Sequence, residues 1–452
     1  MNPMTRRRFL KTAAAAGVGA AAWQPWLQMQ AMAQAASSGA PDYKAMVCVF
    51  LFGGNDGNNL LVPRESDQWA LYTRARANLA LDAGSVLPIT PTNTGGRRYG
   101  LHPSFTRMQA RFQAGQAALL ANVGPLVTPT TKAQYEARSV PLPPSLFSHA
   151  DQQGLWQTDN VEGQVRGGWA GRTLERLVAD STANRGYSCV SVAGSALWGT
   201  GDGSLQPYRV PPSGRFGLDA YTPGGTDPLS VALAGLMADV RTDPFEATWI
   251  AAMKRAMDNQ RILSTALAAS TLHTPFPGTE LGDQLAMVSK LIGTRQGLGL
   301  SRQCFFCAIG GFDTHGDDQM GFQADAFAQI DAAVDAFLNE MSAQGLSDKV
   351  TLFTASDFGR TCVSNGRGSD HGWGNHHFVA GGSVVGQRLY GAFPNHTVDG
   401  PDDIGGGVWI PALSVDQLGA ELGRWFGAGS LEREIFPTSA HFDTQLGLLR
   451  MG

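Results

Sequence analysis

Gln303-Cys-Phe-Phe-Cys-Ala-Ile309 reads as a buried strand, and Gly310-Gly-Phe-Asp313-Thr-His315-Gly-Asp317-Asp318 follows it as a polar, glycine-rich loop. Phe327, Ile330, Val334, Phe337, Leu338 and Met341 then mark one face of a helix. Val350-Thr-Leu-Phe-Thr354 opens a second strand, which ends at Ser356-Asp357. Continuous apolar runs of strand length, separated by a helix of 3.6-residue period, predict strands buried between helical layers. In such a sheet, sites are built where the strands end.

The rest of the chain repeats the alternation. Ala45–Phe52, Ala117–Val123, Tyr187–Val192 and His377–Ala380 read as strands. Helices are expected over Tyr72–Leu81, Phe105–Ala114, Ser148 through Trp156, 243–300 and Val415–Phe426. Residues 125–147, rich in Pro and Thr, and 200–228, rich in Gly and Pro, read as surface loop. No internal repeat is visible. Strands alternating with helices predict a doubly wound α/β sheet covered on both faces.

The chain opens with Thr5-Arg6-Arg7-Arg8-Phe9-Leu10-Lys11 and an Ala/Gly-rich stretch to Trp23. Small residues at Ala31, Ala33 and Ala35 offer cleavage sites. That order of charge, weakly apolar core and small residues is the bacterial twin-arginine export pattern. Residues 1–35 are therefore expected to be a signal peptide that engages the twin-arginine translocase, leaving 36–452 as a single domain with a loop and helical insertion around 200–300. The plainer alternative is a basic arm before an Ala-rich helix. Removing the leader leaves 30 Lys+Arg against 38 Asp+Glu. An acidic chain argues against nucleic-acid binding, which needs a basic footprint. No later stretch has the apolar length of a membrane span. The mature protein is expected in the periplasm or outside the cell.

The five cysteines are too scattered for a disulfide framework. Cys304 and Cys307 have redox-motif spacing, but three residues apart on a strand they point to opposite faces. Both read as core.

Four of the nine histidines fall in two late loops. Asp313, His315, Asp317 and Asp318 follow one strand within six residues. Asp370, His371, His376 and His377 crowd the other loop with Trp373 and Asn375. Carboxylates and imidazoles supply oxygen and nitrogen ligands for divalent ions. The plainer readings are a solvated acidic loop and a packed aromatic loop. Asp56, beyond the first strand, is a ligand or a turn residue. Ser148, beside His149, is a nucleophile at a helix start or an ordinary N-cap. Asp357 is a ligand, a cap or a partner of Arg360.

Phe50 to Pro63, Leu146 to Gln153 with Trp156, Gly310 to His315, Ser356 to Thr361 and Asp370 to Gly382, in this order, resemble the family known as domain of unknown function 1501. The resemblance spans nearly the whole mature chain. It implies an alkaline-phosphatase-like three-layer α/β/α sandwich with a mostly parallel central sheet, kinship with phosphatases and sulfatases, and a co-encoded protein partner. It also implies a divalent metal (Zn, Mn or Ca) held by Asp56, Asp313, His315, Asp357 and His371. Ser148 would attack, and Arg360 would hold an anionic oxygen of the substrate. His149, Asp317, Asp370, His376 and His377 stand as secondary candidates. The chain departs from that superfamily in several places. Asp317 stands four residues after Asp313 where a histidine is expected, and Asp357-Phe358 replaces an Asp-His pair. The sulfatase Cys/Ser-x-Pro-x-Arg signature is absent around Ser148. An exported metal-dependent hydrolase of phosphate or related esters is the leading expectation. A non-catalytic envelope scaffold, or a polysaccharide-binding or polysaccharide-modifying protein using Trp156 and Trp373 as stacking platforms, are the alternatives.

Overall fold

The computed structural model describes residues 42–163, 167–178, 185–214, 221, 225–238 and 242–451. The expected export signal at 1–35 lies outside them. Nine strands form the main sheet: β1 Lys44–Leu51, β2 Ala117–Gly124, β3 Cys189–Ser191, β4 Tyr208–Arg209, β5 Arg302–Ile309, β6 Val350–Ser356, β7 Asn375–Gly381, β8 Leu389–Gly391 and β9 Leu413–Ser414. Their order is β8-β2-β7-β6-β1-β5-β3-β4, with β9 also beside β2.

Side chains alternate along β1. Ala45, Val47, Val49 and Leu51 enter one core with Phe327, Ile330, Val334 and Phe337 of the helix Gln319–Ala343, and with Leu285, Val288 and Ile292 of the helix Glu280–Gly293. Met46, Cys48 and Phe50 enter a second core with Trp169 and Leu174 of the helix Trp169–Leu177, and with Leu418 and Leu422 of the helix Val415–Gly423. Two cores separated by one sheet make the expected three-layer α/β/α sandwich. Cys304 and Cys307 go to opposite cores, as the two-residue period of a strand requires.

Neighbouring strands are parallel except at β7, which runs antiparallel to both β2 and β6. The carboxyl ends of β1, β5 and β6 therefore lie at the same edge as the amino end of β7. The loops after β1 and β5 and the whole connection from β6 to β7 meet there.

Three local expectations are corrected. The helix placed at Tyr72–Leu81 spans Ser66–Arg76 and gives way to a 3₁₀ turn at Ala77–Leu79, because Ala77 adopts a positive φ of 47° that ends the helix. The stretch 243–300 is two helices, Pro244–Ala268 and Glu280–Gly293, broken where Pro275 and Pro277 fall. The surface loop 125–147 contains a short helix, Lys132–Ala137, closed by a Thr131/Gln134 capping box.

Candidate metal centre

Four side chains from three separate loops converge at the carboxyl edge: His149, Asp313, His315 and His371. Asp313 and His315 come from the loop after β5. His149 is the first residue of the helix His149–Thr158. His371 is placed by a small hairpin within the β6–β7 connection, where Gly372 donates to Gly359, Thr361 donates to Asp370, and Arg360 and His371 form a bridge. The loops close tightly because Gly53 has φ 112° and a Cβ there would strike the Asp313 amide. At Gly54, with φ 80°, a Cβ would meet the Phe358 ring. That ring is buried and packs against the rings of both His149 and His371.

Each imidazole is held by its Nδ1. His149 Nδ1 lies 2.7 Å from Asp357 Oδ2. His315 Nδ1 is 3.0 Å from Asp370 Oδ1. His371 Nδ1 is 2.8 Å from the Phe147 carbonyl oxygen. All three partners only accept, so each Nδ1 carries a proton, and in the neutral imidazole each Nε2 presents a lone pair. The Nε2 atoms face one region. His315 Nε2 is 2.8 Å and His371 Nε2 3.3 Å from Asp313 Oδ1, and the two nitrogens are 3.2 Å apart. His149 Nε2 lies 3.3 Å from Asp313 Oδ2 without making a hydrogen bond, and is buried. Acceptors crowded against acceptors repel unless a cation or a shared proton lies among them. Separations near 3.3 Å are also those between ligand atoms about 2.0–2.1 Å from one tetrahedral ion. One ligand atom from each of His149, Asp313 and His371 lies within 4.8 Å of the others, a possible ligand cluster among the described residues.

Asp313 supplies the negative charge of the cluster. Burial raises its carboxyl pKa, but the Arg360 hydrogen bond at 2.9 Å and charge, with His149 and His315, outweigh that and hold it at about 2. Asp370 is also held below the usual carboxylate range, first by the hydrogen bond from Asn365, which outweighs the effect of burial, and then by His315.

Several expected site residues take other positions. Asp56 is buried and pairs with Arg76, with Gln319 donating to the same oxygen at 2.7 Å, so its carboxylate is not in the cluster. A buried arginine 20 residues on leaves no sequence signal of that pairing. Asp357 is fully buried and accepts from Gly53 N, His149 Nδ1 and Gln153 Nε2, which makes it an orienting partner of His149. Arg360 is buried and spends Nη1 on Asp313 and Gly53 O and one Nη2 hydrogen on Ser369 O, which ties its guanidinium to the loops around the cluster. Ser148 caps its helix through a 3.5 Å contact from the Asp151 amide. Asp317 pairs with Arg367 on the surface.

His376 and His377 are core residues. His376 Nδ1 accepts from Asn122 N at 3.0 Å, and His377 Nδ1 contacts Thr354 Oγ1 at 3.2 Å. Both fall within β7, as its second and third residues, and are buried. Trp156 and Trp373 are buried too, so neither is a stacking platform. The residue most undervalued from sequence is His149. Its signal was position, one step inside a helix at a strand-end loop.

Burial pushes the His376, His377 and His396 imidazoles down to about 3. They stay neutral in the fold and protonate near pH 6.5 in the unfolded chain. The unfolded chain thus binds more protons between about pH 6.5 and 3, and stability falls as pH drops through that window. The expected loss is about 2 kcal/mol per histidine at pH 5 relative to pH 7. Denaturant titrations of metal-free protein at both pH values check it, and equal midpoints would contradict it.

A family model described as "Protein of unknown function (DUF1501)" matches residues 43–403. No curated protein matches the chain. Among solved structures, a sulfatase from Pseudoalteromonas sp. aligns at 9% identity and TM-score 0.34, covering 93% of this chain and 73% of its own. A Bacteroides thetaiotaomicron structure from work on the metabolism of multiple glycosaminoglycans aligns at 11% identity and TM-score 0.37, covering 90% and 78%. At such TM-scores these likenesses carry no functional argument. Among the described residues, no helix is long and apolar enough to cross a membrane.

Proposed function

The chain belongs to the DUF1501 family, and we propose, from its own site, that it is a divalent-metal-dependent hydrolase of phosphate or related esters. The observation that carries this is the set of Nε2 lone pairs turned on one carboxylate, each fixed from behind by an acceptor. His149, Asp313 and His371 would hold the ion. Three protein ligands with space beside them is the pattern of catalytic rather than structural sites. Imidazole with carboxylate suits zinc or manganese and disfavours calcium, which takes oxygen ligands. Bound there, the ion would supply Lewis-acid chemistry and acidify water.

The residues have separable tasks. Asp357 and the Phe147 carbonyl fix the rings of His149 and His371, and such outer partners typically govern metal affinity. Arg360 fixes Asp313. The His315–Asp370 pair, the more exposed arm, is assigned the proton. In the proposed step a water oxygen bonds to phosphorus or sulfur while His315 Nε2 takes its proton. The ester bond to the alcohol oxygen breaks, and that oxygen receives the proton from His315. The sum is ester plus water giving alcohol plus acid. We assign the attack to water because the Ser148 hydroxyl serves its helix cap.

Metal analysis of protein purified without chelators tests the reading, with about one equivalent of zinc or manganese expected. Folded protein free of metal after native export would end it. His315→Gln is expected to keep that metal while lowering kcat about 10²- to 10⁴-fold, the range for a lost general acid–base. Ser148→Ala is expected to keep activity within about threefold, since a cap is worth only about 1 kcal/mol of helix stability. A loss of three orders of magnitude would return the nucleophile role to Ser148. We also read the leader as directing folded export. Lys in place of both Arg6 and Arg7 should leave the protein in the cytoplasm.

A further inference from the structure

We propose that the cleft beside the cluster seats the alcohol half of the ester, and that this half is an uncharged polyol such as a sugar ring. The inference rests on the hydrolase reading for its link to catalysis. The cleft, of about 480 Å³, opens at the carboxyl edge of β1, β5 and β3. It borders two of the loops that carry or support the candidate centre. Phe52 lines it, and the next residue, Gly53, donates to Asp357 and accepts from Arg360. Gly310 lines it three residues before Asp313.

The charge on its walls selects the ligand. Arg209 and Glu280 both line the cleft and are both exposed, yet neither has an ion pair or side-chain hydrogen bond among the described residues. They do not neutralise each other. A second anionic group on the ligand would meet Glu280, and a cationic group would meet Arg209. A neutral ligand with adjacent hydroxyls satisfies both, because each hydroxyl donates to the carboxylate or accepts from the guanidinium. Ser191, in the same wall, has a buried hydroxyl with no partner among the described residues. Phe52, Val192, Val210 and Pro211 supply the apolar surface that a ring's C–H face needs. A few polar groups set in an apolar wall are what a small-molecule site requires.

Saturation-transfer NMR on the metal-loaded protein, with methyl glucoside, glucose 6-phosphate and glucuronate as probes, tests the cleft without requiring turnover. The sugar ring protons of the first two are expected to receive saturation. Arg209→Ala and Glu280→Ala should each weaken their binding by about tenfold or more, as loss of a hydrogen bond to a charged group does, with metal content unchanged. Equal binding by wild type and both variants, or tighter binding of glucuronate than of methyl glucoside, would overturn the polyol assignment. Hydrolysis of phenyl phosphate with no sugar binding would leave the hydrolase and remove the cleft. Sugar binding with no ester hydrolysed would leave the cleft and remove the hydrolase.

Discussion

Asp313→Asn is expected to abolish metal retention. The substitution removes the carboxylate on which the three Nε2 atoms converge. Neither remaining acidic neighbour replaces it. Asp357 is turned to His149 Nδ1, Gly53 N and Gln153, and Asp370 to His315 Nδ1 and Asn365. Losing an orienting partner alone costs about 10- to 100-fold in metal affinity, so losing the anionic ligand should exceed about 100-fold. Metal analysis after desalting should read less than about a tenth of an equivalent, and ester hydrolysis should fall with it. The fold should survive. Arg360 keeps its bonds to Gly53 O and Ser369 O, and the carboxylate it loses is half exposed. Full metal content in this variant would disprove the centre as drawn.

Asp56→Asn is expected to do the opposite. Arg76 is wholly buried, and Asp56 is its counterion. Removing one partner of a buried pair leaves an uncompensated charge and typically costs about 3–5 kcal/mol. Denaturant unfolding should show that loss, while the protein that remains folded carries its metal as before. The double replacement Asp56→Leu with Arg76→Met should recover part of the stability, since apolar groups of similar size often replace such a pair without cost. If Asp56→Asn instead loses metal with unfolding unchanged, Asp56 is a ligand and the pairing with Arg76 is secondary.

These two aspartates measure what the sequence made legible. Both follow a buried strand, and local pattern treats them alike. The strands themselves were readable because period and apolar content are local. Residues 303–309 and 350–354 fall within strands of the central sheet, and the reading 45–52 overruns β1 by one residue. That His315 and His371 meet was within reach, because both sit in loops at strand ends. The division of labour was not. Whether a carboxylate binds a cation, orients a ring or neutralises an arginine depends on partners 20 to 304 residues away. The antiparallel run of β7 had the same consequence for His376 and His377. Histidines directly after a loop look like ligands until the strand begins at Asn375 and takes them into the core.

The span of those partnerships also dictates when the centre comes into being. His149 meets Asp357 across 208 residues, and Gly53 meets the same carboxylate across 304. Closing loops that long comes late, after the local helices and hairpins that reward it. A growing chain holds no ligand set until it has passed His371, some four-fifths of its length. An ion therefore has nothing to nucleate around and must enter a fold already made. Zinc added during refolding should leave the refolding rate unchanged and raise only the stability of the product. On the proposed reading, the order of events is architecture first and cargo second.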